Sequence, residues 1–276
     1  MRKVAVNPQE INERLYPIKT VHTPLASGAE FTGEHIRQFY EQGFLAIENM
    51  LSDAEIQSAV QAISDIIGDP DTGAQVEFVK PRSELAPGEE MELAVRKVHN
   101  FVDVEPRLRV LAGHSGILAI IEQLLGEASK LAQDMALLKP PHGGGEKPWH
   151  QDMAYGPLAF DKPVIGVWIA LDEAGIDNGC MHVIPRSHMI GATPHYAVRD
   201  WQICDTNVPV DRDAAVPLKP GGILFFHGLT YHGTPYNFSD KRRRALQFHY
   251  APESAVKLRP QEYKRIFTNE MTKAEC

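Results

Sequence analysis

The chain has 276 residues, 43% of them hydrophobic, enough to enclose one sizeable core. Its 36 acidic and 28 basic residues give a formal net charge of −8, so composition offers no electrostatic reason to expect a nucleic-acid partner or an anionic membrane surface. No run approaches the roughly 18–20 apolar residues of a membrane span, and no apolar stretch follows the basic opening MRK, as a secretory signal would require.

Residues 1–30 are polar and interrupted by Pro8, Pro17 and Pro24, and suggest an irregular N-terminal arm. Thr32 is placed to cap a helix through about Gln42, with Ile36, Phe39 and Tyr40 on one face and Gly43 ending it. GFLAIENM (43–50) predicts a short strand. Ser52 and Glu55 form a capping-box pattern for a helix whose apolar positions Ile56, Val60, Ile63 and Ile67 recur at helical spacing up to Gly68. From Asp69 to Glu92 the chain turns to Asp, Pro, Gly and Glu, a long excursion that suits a binding loop and a solvated insertion equally. A third helix is predicted at 115–125, capped by Ser115 and stopped by Gly126, with Ile117, Ile120, Ile121, Leu124 and Leu125 buried. Residues 31–126 thus form a mostly helical scaffold.

After residue 130 the pattern changes to short apolar or alternating runs: LAQDMALLK, VIGVWIAL, CMHVI, GILFF and RALQFHY. Turns such as PPHGGG, DNG and KPGG separate them. Strands at this spacing predict a sandwich or barrel closed by antiparallel pairing. The expected architecture is mainly β with flanking helices, a β-core over 130–253 in a single domain spanning 1–276. Cys180, Cys204 and Cys276 are too few and too scattered for a disulfide framework or a structural zinc site, and read as small hydrophobes or spare thiols of a cytosolic protein. Asn237-Phe-Ser239 fits a glycosylation acceptor, without consequence in that setting.

The segment richest in chemistry is Pro148-Trp149-His150-Gln151-Asp152. In an extended chain residues two apart share a face, so His150 and Asp152 present a nitrogen and a carboxylate oxygen to one point. A divalent ion needs a third ligand, and two histidines with one carboxylate occupy one face of an octahedron, leaving three positions open. The candidates are His227 and His232, in FFHGLTYHG. His232 stands 80 residues after Asp152, just past a predicted core strand; His227 suits a strand end or a supporting position near the metal. His142, His182, His188, His195 and His249 read as surface or core-satisfied residues.

Lys241-Arg242-Arg243-Arg244 is a basic run of the kind usually found on a solvated turn, but it leads directly into RALQFHY. Alternation would point one arginine inward, where an unpaired guanidinium is very costly. The run offers it no carboxylate beyond Asp240, whereas a dicarboxylate co-substrate would serve, held bidentately.

With His-x-Asp, a distal His in HGTPYN and an arginine eleven residues further on, the chain resembles the phytanoyl-CoA dioxygenase family. The resemblance runs from about Thr32 to Glu253. It includes FTGEHIRQFYEQGFLAIENMLSDAEI, GEKPWHQD, GVWIALDEAGIDNGCMHVIPRSH and FFHGLTYHGTPYNFSDKRRRA. It implies a double-stranded β-helix, the jelly-roll or cupin-like core. It also implies an iron(II)- and 2-oxoglutarate-dependent oxygenase that uses dioxygen to oxidise a C–H bond of a small molecule, releasing succinate and CO2. Carried over by position, His150, Asp152 and His232 bind iron, and Arg243 grips the distal carboxylate of 2-oxoglutarate. Thr234 stands where the family usually has a serine and keeps the hydroxyl. Trp168, Met135 and Lys97 match further positions of the co-substrate pocket; core packing for the first two, and a surface salt bridge for Lys97, are the competing readings. Halogenating relatives have a small residue in place of the metal carboxylate, so Asp152 favours hydroxylation, desaturation, epimerisation or ring formation. A cupin-type metalloenzyme without 2-oxoglutarate, or an inactive binding relative, is the alternative. The family's substrate loops vary; here they correspond to 69–96, 142–147, 155–160 and 186–210, with Tyr155, Phe160 and Arg186 as candidate substrate contacts. The expected assembly is a monomer or homodimer.

Overall fold

The computed structural model describes residues 7–69, 71–79, 84 and 90–276. Where composition suggests an irregular arm, the chain instead forms a helix, α1 (Pro8–Leu15), and a short strand, β1 (Thr20–Val21). Asn7 accepts a hydrogen bond from the Gln9 amide at 3.0 Å, and Pro8 sits in the first turn, where its missing N–H is no loss. Ile11 and Leu15, four apart on one face, pack with Tyr16 and Trp149. Eight residues with two buried positions are too short to reveal a helical period, which is why the sequence pattern hides α1.

The next elements follow the expected order. α2 (Gly33–Gln42) ends at Gly43, whose φ of +86° is the left-handed conformation that glycine adopts freely. Tyr40 differs from expectation: its side chain is exposed, and its hydroxyl reaches back to donate to the Leu124 carbonyl. β2 (Phe44–Ile47) leads to α3 (Asp53–Gly68), opened by the Ser52–Glu55 capping box. The excursion after it is partly ordered into β3 (Gln75–Phe78), which pairs antiparallel with β4 (Val95–His99). Within it, 80–83 and 85–89, including most of APGEE, lie outside the described residues. A short helix not read from the sequence, α4 (Pro106–Ala112), precedes α5 (Ser115–Leu125). The cap of α5 is His114, whose Nδ1 accepts from the Ile117 amide at 3.3 Å, rather than Ser115. No single helix among the described residues is long and apolar enough to cross a membrane.

The strands of the core are β5 (Ser129–Lys139), β6 (Lys147–His150), β7 (Ile165–Ala170), β8 (Met181–Val183), β9 (His195–Ala197) and β10 (Trp201–Ile203). They continue with β11 (Ala214–Val216), β12 (Ile223–His227), β13 (His232–Thr234) and β14 (Arg243–Pro252), followed by α6 (Pro260–Phe267). They build a sheet of order β2-β12-β7-β14-β5-β4-β3 and a smaller one of order β1-β11-β8-β13-β6, with β9 and β10 as a separate hairpin. All pairings in the two sheets are antiparallel except β1 with β11.

Side-chain alternation on the large sheet divides its two faces. Ile165, Val167 and Ile169 of β7, with Leu246, Phe248 and Tyr250 of β14, pack in one cluster with Ile63 of α3 and Ile117 and Ile121 of α5. The intervening Trp168, Ala170 and Ala245 join Met181, Val183 and Ala215 of the small sheet in a second cluster. The large sheet therefore lies between helices and a second sheet, and the architecture is the jelly-roll. The functional groups stand on the face turned to the small sheet.

The cysteines depart from expectation. Cys204 and Cys276 are joined in a disulfide with a Cα–Cα distance of 5.3 Å, and Cys180 alone is a free, buried thiol. The pair lies 72 positions apart, so no spacing signal marks it; the C-terminal tail returns toward β9 and β10, as the bridge from Thr268 to His195 shows. Asn237 is buried, with its amide nitrogen donating to the Pro140 and Lys241 carbonyls, so the glycosylation pattern is inaccessible.

Candidate active site

β6 and β13 run antiparallel, with His150 directly opposite His232. Their rings lie 4.1 Å apart between centroids, and Asp152, two residues beyond the end of β6, completes the cluster. Asp152 Oδ1 lies 3.3 Å from His150 Nε2 and 3.4 Å from His232 Nε2, and all three residues are buried. His150 Nδ1 is 2.8 Å from the Pro148 carbonyl, and His232 Nδ1 is 2.9 Å from the Thr230 carbonyl. A carbonyl only accepts, so each Nδ1 carries the proton and each Nε2 lone pair faces the shared point. Burial pushes the His150 imidazole down to about 3, which keeps that lone pair free. Two imidazole nitrogens and one carboxylate on one side of a buried point suit a facial iron(II) site with open positions.

The second oxygen of Asp152 is held from the large sheet. His249 Nε2 lies 2.7 Å from Asp152 Oδ2, and Gln247 Nε2 donates to the same oxygen at 3.0 Å. A carboxylate held this way on one oxygen presents the other in a fixed direction. His249 is therefore neither a surface nor a merely core-satisfied residue, as the sequence suggested; it anchors a metal-site carboxylate. β14 carries His249, Gln247 and Arg243 at even spacing on one face, which alternation alone would have linked once Arg243 was placed inward. His227 stays outside the cluster, with its Nδ1 accepting from the Leu229 amide at 3.0 Å beside His188.

Around these groups lies a cavity of about 210 Å³, lined by His150, Asp152, His232 and five of the other sequence candidates: Lys97, Met135, Tyr155, Thr234 and Arg243. The basic run takes three directions. Arg242 pairs with Glu90 at 2.6 Å on the surface, and Arg244 pairs with Asp172 at 2.7 Å and Glu92 at 3.2 Å. Arg243 is 3% exposed, and its Nε and Nη1 meet no hydrogen-bond partner among the described residues. Its guanidinium carbon sits 5.2 Å from the Trp168 ring, whose face offers some compensation. Burial lowers the guanidinium to about 10, so it stays charged at neutral pH.

Trp168 is fully buried behind Arg243. Lys97 lines the cavity and forms no ion pair among the described residues; burial pushes its ammonium down. Of the loop candidates, Phe160 is buried in a separate cluster with Met153 and Phe267, and Arg186 is exposed and near Glu41 at 3.5 Å. Neither lines the cavity. Two other cations on its wall, Lys147 and Arg96, are matched. Asp200 meets Lys147 at 2.7 Å and Arg96 at 2.9 Å, and Arg199, in an adjoining recess, pairs with Glu146 at 2.8 Å and Asp205 at 2.6 Å. Sequence reasoning also missed Lys139, a buried lysine at the end of β5, because it abuts the turn PPHGGG and resembles a solvated strand end.

The family model described as Phytanoyl-CoA dioxygenase (PhyH) matches residues 39–245. A protein of Caenorhabditis elegans named probable phytanoyl-CoA dioxygenase is 28% identical over 78% of this chain and 74% of its own length. Among solved structures, EvdO2 from Micromonospora carbonacea var. aurantiaca, complexed with 2-oxoglutarate, is 22% identical with a TM-score of 0.67, covering 89% of this chain and 99% of its own. SnoK, a non-heme alpha ketoglutarate dependent carbocyclase from nogalamycin biosynthesis, is 22% identical with a TM-score of 0.63, over 90% and 95% of the two chains. Both structural likenesses are of fold.

Proposed function

Because the chain belongs to the phytanoyl-CoA dioxygenase family, we propose that it is an iron(II)- and 2-oxoglutarate-dependent oxygenase acting on a C–H bond of a small organic molecule. The observation that carries this reading is Arg243: a charged guanidinium buried in the cavity of the His150–Asp152–His232 cluster, without a carboxylate partner among the described residues. Leaving such a charge unmatched costs several kcal/mol, on the order of 3–5, so the fold holds it for an anion that arrives from outside.

When bound, iron and 2-oxoglutarate supply the oxidation, with dioxygen and the 2-oxo acid converted to CO2 and succinate as the substrate gains one oxygen atom. His150, His232 and Asp152 Oδ1 would hold the metal, and His249 and Gln247 fix the carboxylate that would face it. Arg243 and the Thr234 hydroxyl orient the distal carboxylate, which leaves the 2-oxo acid end free to reach the metal. Met135, Lys97 and Tyr155 line the cavity, and the buried Trp168 ring backs Arg243. Asp152 fills the position that a small residue takes in halogenating relatives, which favours hydroxylation or a related C–H oxidation. Residues 1–276 act as one catalytic domain in this reading, and the substrate is a small molecule.

Anaerobic addition of iron(II) and 2-oxoglutarate tests the proposal. The wild type is expected to develop the weak visible metal-to-ligand charge-transfer band, and His150→Ala and Asp152→Ala to lose it with an unchanged circular dichroism spectrum. No band in the wild type would mean a metalloenzyme that does not use 2-oxoglutarate.

A further inference from the structure

Lys139 ends β5 directly opposite Arg243, the first residue of β14. Like charges at directly paired positions of an antiparallel ladder repel, and here both side chains are buried. Lys139 also meets no carboxylate within salt-bridge distance among the described residues. Its ammonium is instead directed to three oxygens: the Thr234 hydroxyl at 3.0 Å, the Thr234 carbonyl at 3.5 Å and the Pro235 carbonyl.

Burial and the facing guanidinium push the Lys139 ammonium down; while charged it only donates, so the Thr234 hydroxyl then accepts from Lys139 and its own proton is left to donate elsewhere. Both Thr234 and Lys139 line the cavity that Arg243 enters. Space for the lysine is built in by glycines of two separate turns. A Cβ on Gly144 would collide with Lys139 Cγ, and one on Gly179 would stand 3.1 Å from Lys139 Cδ and 2.9 Å from the Pro235 carbonyl. Gly179 moreover has a φ of +84°. Two turns that shape themselves around a buried lysine are hard to explain if that lysine were incidental.

We propose that Lys139 is a positioning residue of the distal-carboxylate site. It turns the Thr234 hydroxyl proton toward the bound carboxylate and, with Arg243, makes the site select a dianionic 2-oxo acid over a monoanionic one. The proposal rests on 2-oxoglutarate being the co-substrate.

The test is anaerobic calorimetric titration of the iron(II)-loaded protein with 2-oxoglutarate and with 2-oxopentanoate, which keeps the 2-oxo acid but carries a methyl in place of the distal carboxylate. Lys139→Met is expected to weaken 2-oxoglutarate about tenfold, as for loss of one charge-assisted hydrogen bond, and to leave 2-oxopentanoate unchanged. In Thr234→Val the same lysine substitution should have a smaller effect than in the wild type. Gly144→Ala, which crowds the lysine stem and keeps the charge, should weaken 2-oxoglutarate selectively too and serves if Lys139→Met fails to fold. Equal 2-oxoglutarate affinity in Lys139→Met and wild type, or equal weakening of both acids, would overturn the role of Lys139. A wild type that binds no 2-oxoglutarate would instead sink the co-substrate reading itself.

Discussion

The two groups of cations around the cavity are handled in opposite ways. On one flank Lys147 and Arg96 share Asp200, and Arg199 is held between Glu146 and Asp205. At the other, Arg243 and Lys139 face each other across a strand pair with no carboxylate between them among the described residues. The first arrangement is complete within the protein and maintains the shape of the wall. The second lacks its counter-charge, and an incomplete site is what a dianionic ligand would finish. Counting cations in the cavity would not distinguish the two; asking which of them already has an anion does.

The largest expected effect breaks the unmatched group. Arg243→Met should raise the 2-oxoglutarate concentration for half-saturation on the order of a hundredfold, the loss of a bidentate charge-assisted contact of about 3 kcal/mol. Thermal melts of the ligand-free protein should show no loss of stability, since an uncompensated buried charge has been removed. Arg242→Ala, one residue away and paired with Glu90 on the surface, should change neither measurement.

An intermediate effect is expected from acid, and it should be the same whichever group has been altered. Burial pushes the imidazoles of His195 and His227 down to about 4. The unfolded chain binds their protons below about 6.5 while the folded chain resists until about 4, so stability is complete above 6.5 and declines as pH falls between these values. Each residue should account for about 2 kcal/mol lost by pH 5. Urea denaturation from pH 7.5 to 4.5 should show this slope in wild type and Arg243→Met alike, and a shallower one in His195→Gln.

The smallest effect sharpens the comparison from the matched side. Asp200→Asn leaves Lys147 and Arg96 without their shared anion and should cost about 1 kcal/mol of stability, because the site is partly open to solvent. Half-saturation by 2-oxoglutarate should stay within about twofold, since each flank is argued to work on its own.

What the sequence disclosed depended on whether the signal was local. The Ser52–Glu55 box and the glycines at 43 and 126 specify helix ends through adjacent residues, and each appears in the structure. β5, β7, β8, β12 and β14 were legible as apolar or alternating runs; β9, β10, β11 and β13 were not, because three residues outside such a run show no period. His150 and Asp152 were visible as a pair because two-residue spacing is itself a geometry; His232 needed the family resemblance, because only folding brings β13 beside β6. Lys139 escaped because nothing near it in the chain predicts its buried partner 95 positions away; alternation puts Gln247 and His249 on the face of Arg243, but their partner Asp152 lies 95 and 97 positions away. The Cys204–Cys276 link was hidden for the same reason.

The N-terminal helix has a practical consequence for anyone shortening this protein. The Leu15 carbonyl receives the Trp149 indole N–H at 2.8 Å, immediately behind His150, and Tyr16 donates to the Lys147 carbonyl at 3.1 Å. Asn12 and the Tyr236 backbone exchange two hydrogen bonds, at 2.9 and 3.1 Å, just beyond the strand that bears His232. A chain started at residue 39, where the match to the family model begins, would strip the support from both histidine-bearing strands and leave an indole donor without an acceptor. The boundary of the family match and the boundary of mechanical integrity fall at different residues here, and a trimmed version should be cut by the second.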